Sequence, residues 1–220
     1  MNPAEIEQAR FNMIVQQIRP WEVLDPQVLE AMQRIPREAF VPERYRALAF
    51  ADTNIPLGHD QVMMKPNVEG RLLQALAIRP EDSVLEVGTG SGYLTACLAR
   101  LGRHVTSMEI LPELAAGAAA RLAELNIDNI TLQTGDALCD IDPNIHYDVV
   151  AVTGSLPVLN QEFFRNLETG GRLFVITGRL PIMEARLITR INANNWGSES
   201  LFETCIPPLI NAPAPEPFSF

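Results

Sequence analysis

The chain has 220 residues, of which 47% are apolar, as is typical of one globular domain with a sizeable core. Its formal net charge is −10 and Lys65 is its only lysine, so the composition predicts no nucleic-acid partner. It contains no apolar run of membrane-spanning length and no secretion-type amino terminus, so we expect a cytoplasmic protein that does not bind membranes. The three cysteines lack metal-ligand spacing, and no metal is expected.

The first part of the chain is predicted to form helices separated by irregular connections. A helix over residues 4–18 would turn one apolar face inward. Asp25 followed by Pro26 is typical of a helix start, because Asp caps free amides and proline suits the first turn, so a second helix should reach Arg34. Residues 36–56 contain three prolines and are predicted to be irregular. Pro66 should open another helix with Val68, Leu72, Leu73 and Leu76 turned inward.

From Asp82 onward, strand and helix patterns alternate. Strands are predicted over residues 84–87, 105–108, 130–133, 147–152 and 172–177, and helices over 91–101, 112–125 and 161–167. Such alternation predicts an α/β fold with a doubly wound, mostly parallel sheet and helices on both faces. Two later runs, over residues 185–191 and 200–206, predict a hairpin that adds antiparallel strands at one edge.

The sequence shows no internal repeat and no domain boundary, so a single domain over residues 1–220 is predicted. Residues 1–80 would form an N-terminal region of helices and loops, and residues 81–210 an α/β core. Residues 211–220 form a proline-rich tail that we expect to be extended.

The segment from Val84 to Tyr93 reads V-L-E-V-G-T-G-S-G-Y, a buried strand that runs into a glycine-rich turn and a helix. Such a turn lets the backbone approach a nucleotide-like ligand closely. A dinucleotide site would have a third glycine where Tyr93 stands. The turn instead resembles the E-x-G-x-G-x-G motif of class I S-adenosylmethionine-dependent methyltransferases. That resemblance makes the cofactor-binding candidates Glu86, Gly88, Thr89, Gly90 and Gly92.

Two acidic residues at the ends of the next predicted strands support a cofactor site over a glycine turn that merely connects strand to helix. Glu109, followed by Ile110, ends the second predicted strand, where a carboxylate can accept both hydroxyls of a ribose. Asp136, followed by Ala137, ends the third and is predicted to face the adenine side.

Several segments together are similar to one family, the protein-L-isoaspartate O-methyltransferases, from about Val28 to Ile210. These segments are V-L-E-A-M-Q-R-I-P-R-E-A-F-V-P-E (28–43), A-D-T-N-I-P-L-G-H-D-Q (51–61), the glycine turn, M-E-I-L-P-E-L (108–114), G-G-R-L (170–173) and I-P-P-L (206–209). The resemblance implies S-adenosylmethionine as cofactor and S-adenosylhomocysteine as product. It also implies methyl esterification of isoaspartyl carboxylates in damaged proteins.

The sequence departs from the family pattern in the substrate loop. The family reads G-Q-T-I-S-x-P, whereas residues 60–66 read D-Q-V-M-M-K-P. Val62 and Met63 therefore replace threonine and isoleucine, and Met64 replaces the serine implicated in the family's active site. Ala137 also stands where the family prefers glycine. No catalytic residue is assigned.

Alternatives remain open on the substrate side. Lys65 either pairs with a substrate carboxylate or is a solvated surface lysine, and His59 is either structural or an acid or base. The acceptor is an isoaspartyl protein or peptide, or else a small or apolar molecule, since methionines suit adaptable apolar surfaces. A third reading is a protein that binds the cofactor without transferring methyl. The sequence leaves the oligomeric state undetermined.

Overall fold

Helices form the first part of the chain in the computed structural model, which describes residues 2–159 and 162–213. Helix α1 (Pro3–Met13) begins at Asn2, whose side chain accepts a 2.9 Å hydrogen bond from Glu5 N. The chain continues through a π-helical turn (Ile14–Ile18) and a 3₁₀ turn (Arg19–Trp21). The predicted first helix is therefore confirmed, with a distorted C-terminal part.

Two further predicted helices are also confirmed. In α2 (Pro26–Arg34), the Asp25 side chain accepts a 2.8 Å hydrogen bond from Gln27 N, as expected of an N-cap. In α4 (Pro66–Leu76), the four leucine and valine side chains predicted to face the core are buried. Between them lie α3 (Arg37–Phe40) and a 3₁₀ turn (Glu43–Leu48).

The stretch that was predicted to be irregular contains α3 and the 3₁₀ turn, and a small β-hairpin begins at its end, so the prediction is wrong in these places. Strands β1 (Ile55–Gly58) and β2 (Gln61–Met63) pair antiparallel and form a two-stranded sheet of their own. The turn between them needs positive φ angles, which Gly58 (100°), His59 (52°) and Asp60 (57°) adopt. These are the conformations that tight hairpin turns require.

The main sheet has seven strands in the order β5-β4-β3-β6-β7-β8-β9. The first five are parallel and the last two antiparallel, as predicted. The strands are β3 (Ser83–Val87), β4 (His104–Glu109), β5 (Ile130–Thr134), β6 (Tyr147–Leu156), β7 (Leu167–Arg179), β8 (Ile182–Asn192) and β9 (Asn195–Thr204). The helices between them are α5 (Tyr93–Leu101), α6 (Pro112–Glu124) and α7 (Glu162–Arg165).

The strand order reverses at β3, which has β4 on one side and β6 on the other. In doubly wound sheets, ligands bind outside the carboxyl ends of the strands at such a reversal. Strand β3 is suited to the centre of the sheet because Val84, Leu85 and Val87 are buried between the two helical layers. The fold therefore places the candidate site beyond Val87.

Two predictions reach residues outside the described ranges. Helix α7 falls within the helix predicted over residues 161–167, of which Gln161 is not described. Most of the tail predicted over residues 211–220 also lies outside them. Within residues 2–159 and 162–213, the structure contains no helix long and apolar enough to cross a membrane.

Candidate active site

A cleft opens at the carboxyl ends of β3 and β4, where doubly wound sheets bind small-molecule ligands. Its walls are formed by five ranges of the chain and six single residues. They are residues 87–91, 108–110, 135–138, 61–64 and 209–210, together with Leu57, Glu69, Leu94, Leu114, Thr153 and Gly154. The predicted cofactor turn and the predicted substrate loop therefore border the same cleft.

The glycine turn needs its glycines for two reasons. Gly88, Gly90 and Gly92 have φ angles of 96°, 54° and 86°, which L side chains adopt at a cost. A Cβ on Gly88 would in addition overlap the hydroxyl of Thr153, which lies 2.7 Å from Gly88 O as a hydrogen-bond donor. Strand β6 therefore packs so closely against the turn that only a glycine fits at position 88.

Glu109 is held at the end of β4 by backbone amides. Gly90 N donates to Oε2 at 2.8 Å and Leu111 N donates to Oε1 at 3.0 Å, while the residue is only 5% exposed. A carboxylate has about four lone-pair directions, so each oxygen can accept one further hydrogen bond. The arrangement would suit a pair of vicinal hydroxyls.

The loop after β5 brings Asp136 to the opposite wall. Its Oδ1 accepts a hydrogen bond from Leu138 N at 2.9 Å. Its Oδ2 accepts one at 2.9 Å from Asn211 Nδ2, a partner that the sequence did not reveal. Ala137 is buried and lines the cleft beside it, as does Ile110 on the Glu109 side.

Glu86, which we predicted to be a cofactor ligand, does not lie on the cleft wall. It is fully buried beneath the turn, where Oε2 accepts hydrogen bonds from Thr95 Oγ1 (2.5 Å) and Ser107 Oγ (2.6 Å). Burial raises the pKa of Glu86 to about 8, against the effect of these two hydroxyls. Thr89, which does line the cleft, joins this network through a 2.6 Å hydrogen bond with Ser107.

Gly92 also faces away from the cleft. A Cβ there would lie 3.1 Å from the Cβ of Ala118 in α6. Its place in the motif therefore reflects close packing of the turn against a helix. Glu86 and Gly92 therefore support the turn on the side away from the cleft, whereas Gly88, Thr89 and Gly90 line the cleft.

The residues predicted on the substrate side also fall into two groups, those that line the cleft and those that do not. Val62, Met63 and Met64 line the cleft, whereas Lys65 and His59 do not. Lys65 stands at the N-cap of α4, and its backbone N donates to Asn54 Oδ1 at 3.1 Å. The structure thus gives no support to Lys65 as a substrate ligand. His59 Nε2 lies 2.5 Å from Glu113 Oε2 in α6.

The C-terminal segment closes the cleft beside β6, a contact that the sequence did not predict. Ser155 N donates to Pro207 O (2.9 Å), and Leu209 N donates to Ser155 O (3.0 Å). Leu209 packs so closely on Gly154 that a Cβ there would lie 2.6 Å from its Cδ2. The similarity of residues 206–209 to a family motif was the only sequence signal for this region.

Glu69 is the main cleft residue that sequence reasoning missed. It is buried in the first turn of α4, and its Oε2 accepts a hydrogen bond from Arg37. Its position among the apolar residues of an amphipathic helix gave no reason to single it out.

The residues on the walls fit the cofactor predicted from the motif. A site for an adenosyl group needs bare backbone at its floor and an acceptor for the ribose, which Gly88, Gly90 and Glu109 offer. A cleft of this kind at the reversal of a doubly wound sheet defines a class I S-adenosylmethionine-dependent methyltransferase.

Comparison with known proteins gives the family. The sequence profile of the family described as protein-L-isoaspartate(D-aspartate) O-methyltransferase matches residues 9–201. The chain therefore belongs to that family of S-adenosylmethionine-dependent O-methyltransferases. Protein-L-isoaspartate O-methyltransferase 1 of Rhodopseudomonas palustris (strain HaA2) is 38% identical over 94% of this chain and 87% of its own. Its namesake from Anaeromyxobacter sp. (strain Fw109-5) is 42% identical over 72% and 76%.

Solved structures agree on the fold. A Plasmodium falciparum crystal structure, assigned as a beta-aspartate methyltransferase in complex with S-adenosyl-L-homocysteine, superimposes with a TM-score of 0.79. The two chains are 20% identical, and the match covers 93% of this chain and 97% of the other. A second structure, of a protein-L-isoaspartate O-methyltransferase, gives the same TM-score at 23% identity, over 91% of this chain and 65% of the other.

Proposed function

We propose that this protein methylates L-isoaspartyl carboxylates in damaged proteins or peptides, using S-adenosylmethionine. The observation that carries the proposal is that the cofactor turn and the substrate loop of a chain in this family border one cleft. The acceptor and the methyl donor would therefore meet without any rearrangement of the sheet.

On the cofactor side of the cleft, particular residues would have particular roles. Glu109 would accept the ribose hydroxyls, and Gly88 and Gly90 would let the backbone lie against the cofactor. Asp136 and Ala137 would border the adenine. When bound, S-adenosylmethionine supplies an electrophilic methyl group on a sulfonium.

On the acceptor side of the cleft, the protein needs no acid or base catalysis. An isoaspartyl carboxyl group has a pKa of about 4 and is already anionic at neutral pH, so it needs no general base. The protein has to hold the carboxylate in line with the methyl group and keep water away, and positioning can supply most of the acceleration. Val62, Met63 and Met64 provide an apolar wall for that purpose.

The same wall favours a second candidate, a methyltransferase with a small or apolar acceptor. Val62, Met63 and Met64 border the cleft without the hydroxyls that the family loop carries, and Leu57 and Leu209 extend the apolar surface. Burying such surface stabilises an apolar ligand by about 25 cal/mol per Å².

A methyl-transfer assay separates the two candidates. The protein is incubated with radiolabelled S-adenosylmethionine and a short peptide that contains one L-isoaspartyl residue, with the normal aspartyl peptide as control. We expect base-labile label in the isoaspartyl peptide alone. Calorimetry with S-adenosylhomocysteine verifies that the cofactor site is intact. Tight binding with no transfer to the peptide would reject the repair function.

We propose a single-domain cytoplasmic enzyme with no nucleic-acid partner, and its acidic net charge of −10 supports that last point. A charge of this size would repel a phosphate backbone.

A further inference from the structure

A buried carboxyl group borders the acceptor side of the cleft. Glu69 lies in the first turn of α4, directly after the substrate loop, and its side chain is 2% exposed. It lines the cleft together with Met63 and Met64. A carboxyl group in an apolar wall is costly unless it is paired or performs a task.

Arg37 fixes the orientation of this carboxyl group. Its guanidinium donates to Glu69 Oε2, to Met64 O (2.7 Å) and to Ala49 O (2.8 Å), and it is stacked 4.8 Å from the ring centre of Tyr93. Arg37 therefore joins the backbone of the substrate loop to Glu69 as one rigid unit. Because Oε2 accepts from Arg37, Oε1 remains available to a ligand, and no hydrogen bond from the described residues reaches it.

The surroundings allow the carboxyl group to hold a proton. Burial raises the pKa of Glu69 to about 7, while Arg37 acts in the opposite direction. The other titratable groups around it are Tyr93 and Cys97 from α5 and Glu86 from β3. Across the same cleft, the carboxylates are those of Glu109 and Asp136.

We propose that Glu69 is the acceptor-binding residue of this enzyme and that its carboxyl O–H donates a hydrogen bond to the acceptor carboxylate. It would thereby take the place of the hydroxyl donors that the family loop carries where this chain has Val62 and Met64. The inference rests on the proposed isoaspartyl activity. It assigns the group that receives the acceptor, which the loop itself no longer supplies.

The proposal fixes the sign of a pH effect. Protonated Glu69 donates to the acceptor, whereas ionised Glu69 places a negative charge against a negative acceptor. Activity towards an isoaspartyl peptide should therefore be high below pH 7 and fall about tenfold per pH unit once Glu69 has ionised.

Two substitutions test whether Glu69 donates a hydrogen bond to the acceptor or only fills space in the cleft wall. In Glu69→Gln, Arg37 requires the amide oxygen as its acceptor, so the NH₂ group is turned towards the cleft and still donates. This variant cannot ionise, and we expect it to keep activity within about threefold of the wild-type maximum from pH 6 to pH 9. Glu69→Leu retains bulk without a donor and should lose about 10- to 100-fold at pH 6.

The assay follows release of S-adenosylhomocysteine with the isoaspartyl peptide between pH 5.5 and 9, because the methyl ester itself is labile at high pH. Glu38→Gln is the matched control, since Glu38 also pairs with an arginine (Arg10) but lies outside the cleft. It should show the wild-type profile. Circular dichroism and S-adenosylhomocysteine binding verify the fold of every variant.

The outcomes separate this inference from the proposed function. A wild-type enzyme that methylates the peptide, with a profile that neither Glu69 variant alters, would overturn the role of Glu69 and leave the repair function standing. A wild-type enzyme that binds S-adenosylhomocysteine but methylates no isoaspartyl peptide at any pH would overturn both. If Glu69→Leu fails to fold, the flat profile expected of Glu69→Gln still decides the matter.

Discussion

Gly88 is the residue at which the cofactor turn tolerates least change. Its φ of 96° and the overlap of a Cβ with Thr153 both oppose a side chain there. We expect Gly88→Ala to cost about 2–4 kcal/mol of stability and most of the cofactor affinity. Gly90→Ala is the matched control for stability, because its φ of 54° is an ordinary left-handed value and its nearest neighbour is a flexible Leu57 methyl at 3.3 Å.

Urea unfolding and calorimetry with S-adenosylhomocysteine would measure both glycine variants. Gly90→Ala should cost about 1 kcal/mol, the price of a left-handed alanine. Equal losses of stability in the two variants would show that backbone conformation alone, and not the contact with Thr153, restricts the turn.

Glu86 should make the stability of the protein depend on pH. Its pKa is raised from 4.5 to about 8 in the folded state, so its contribution to stability is fully present below pH 4.5 and is lost as pH rises through 8. Between these values, the free energy of unfolding should fall by on the order of 1 kcal/mol per pH unit relative to Glu86→Gln.

Urea midpoints at pH 5, 6, 7 and 8 test the expectation for Glu86. The control is Glu7→Gln, which removes an exposed carboxylate from α1 and should leave the slope as it is in the wild type. Parallel stability curves for wild type and Glu86→Gln would mean that Glu86 is ionised throughout this range.

The limits of sequence reasoning are visible in individual residues. Glu109 and Asp136 were predicted to face the site because each stands at the end of a predicted strand, and parallel strands end at one edge of a sheet. Asn211 was not predicted, since it meets Asp136 from 75 positions away along the chain. Glu86 belongs to the motif, but only packing reveals that it lies beneath the turn.

At the scale of elements, the β1–β2 hairpin borders the cleft but belongs to a separate sheet. It carries Leu57 and Val62 to the cleft, and the His59–Glu113 contact joins its turn to α6 on the cofactor side. We expect His59→Ala or Glu113→Ala to speed S-adenosylhomocysteine dissociation by up to about fivefold. An exposed side-chain contact of this kind stabilises by no more than about 1 kcal/mol.

A double-mutant cycle followed by stopped-flow fluorescence would test the contribution of that contact. The double variant should release S-adenosylhomocysteine no faster than either single variant. Glu124→Ala, at the far end of α6, is the control and should not change the rate. Additive effects of the two substitutions would show that His59 and Glu113 act separately.

Periodicity predicted the long elements because each buries a regular apolar face. The strands and helices after Asp82 and the helix opened by Pro66 are confirmed, with ends that move by a few residues. The hairpin was missed because β1 and β2 have four and three residues, too few to show alternation. The only sequence feature that indicated the hairpin was the turn sequence Gly58-His59-Asp60.

At the scale of the whole molecule, charge decides which partners can approach. The net charge is −10, and many of the arginines are already paired with carboxylates in the described part of the chain. These are Arg10, Arg34, Arg37, Arg71, Arg100, Arg172 and Arg186. An arginine whose charge is compensated contributes little to the attraction of a phosphate backbone.

We therefore expect weak binding of nucleic acids even though the fold carries a nucleotide-like cofactor site. Fluorescence anisotropy with a labelled DNA duplex and a labelled transfer RNA in 150 mM salt should give dissociation constants weaker than about 100 μM, the upper end of nonspecific binding. S-adenosylhomocysteine binding by the same preparation verifies that the protein is folded. Tight binding that weakens steeply with salt would instead locate an uncompensated arginine surface, and would make a nucleic acid a possible methyl acceptor.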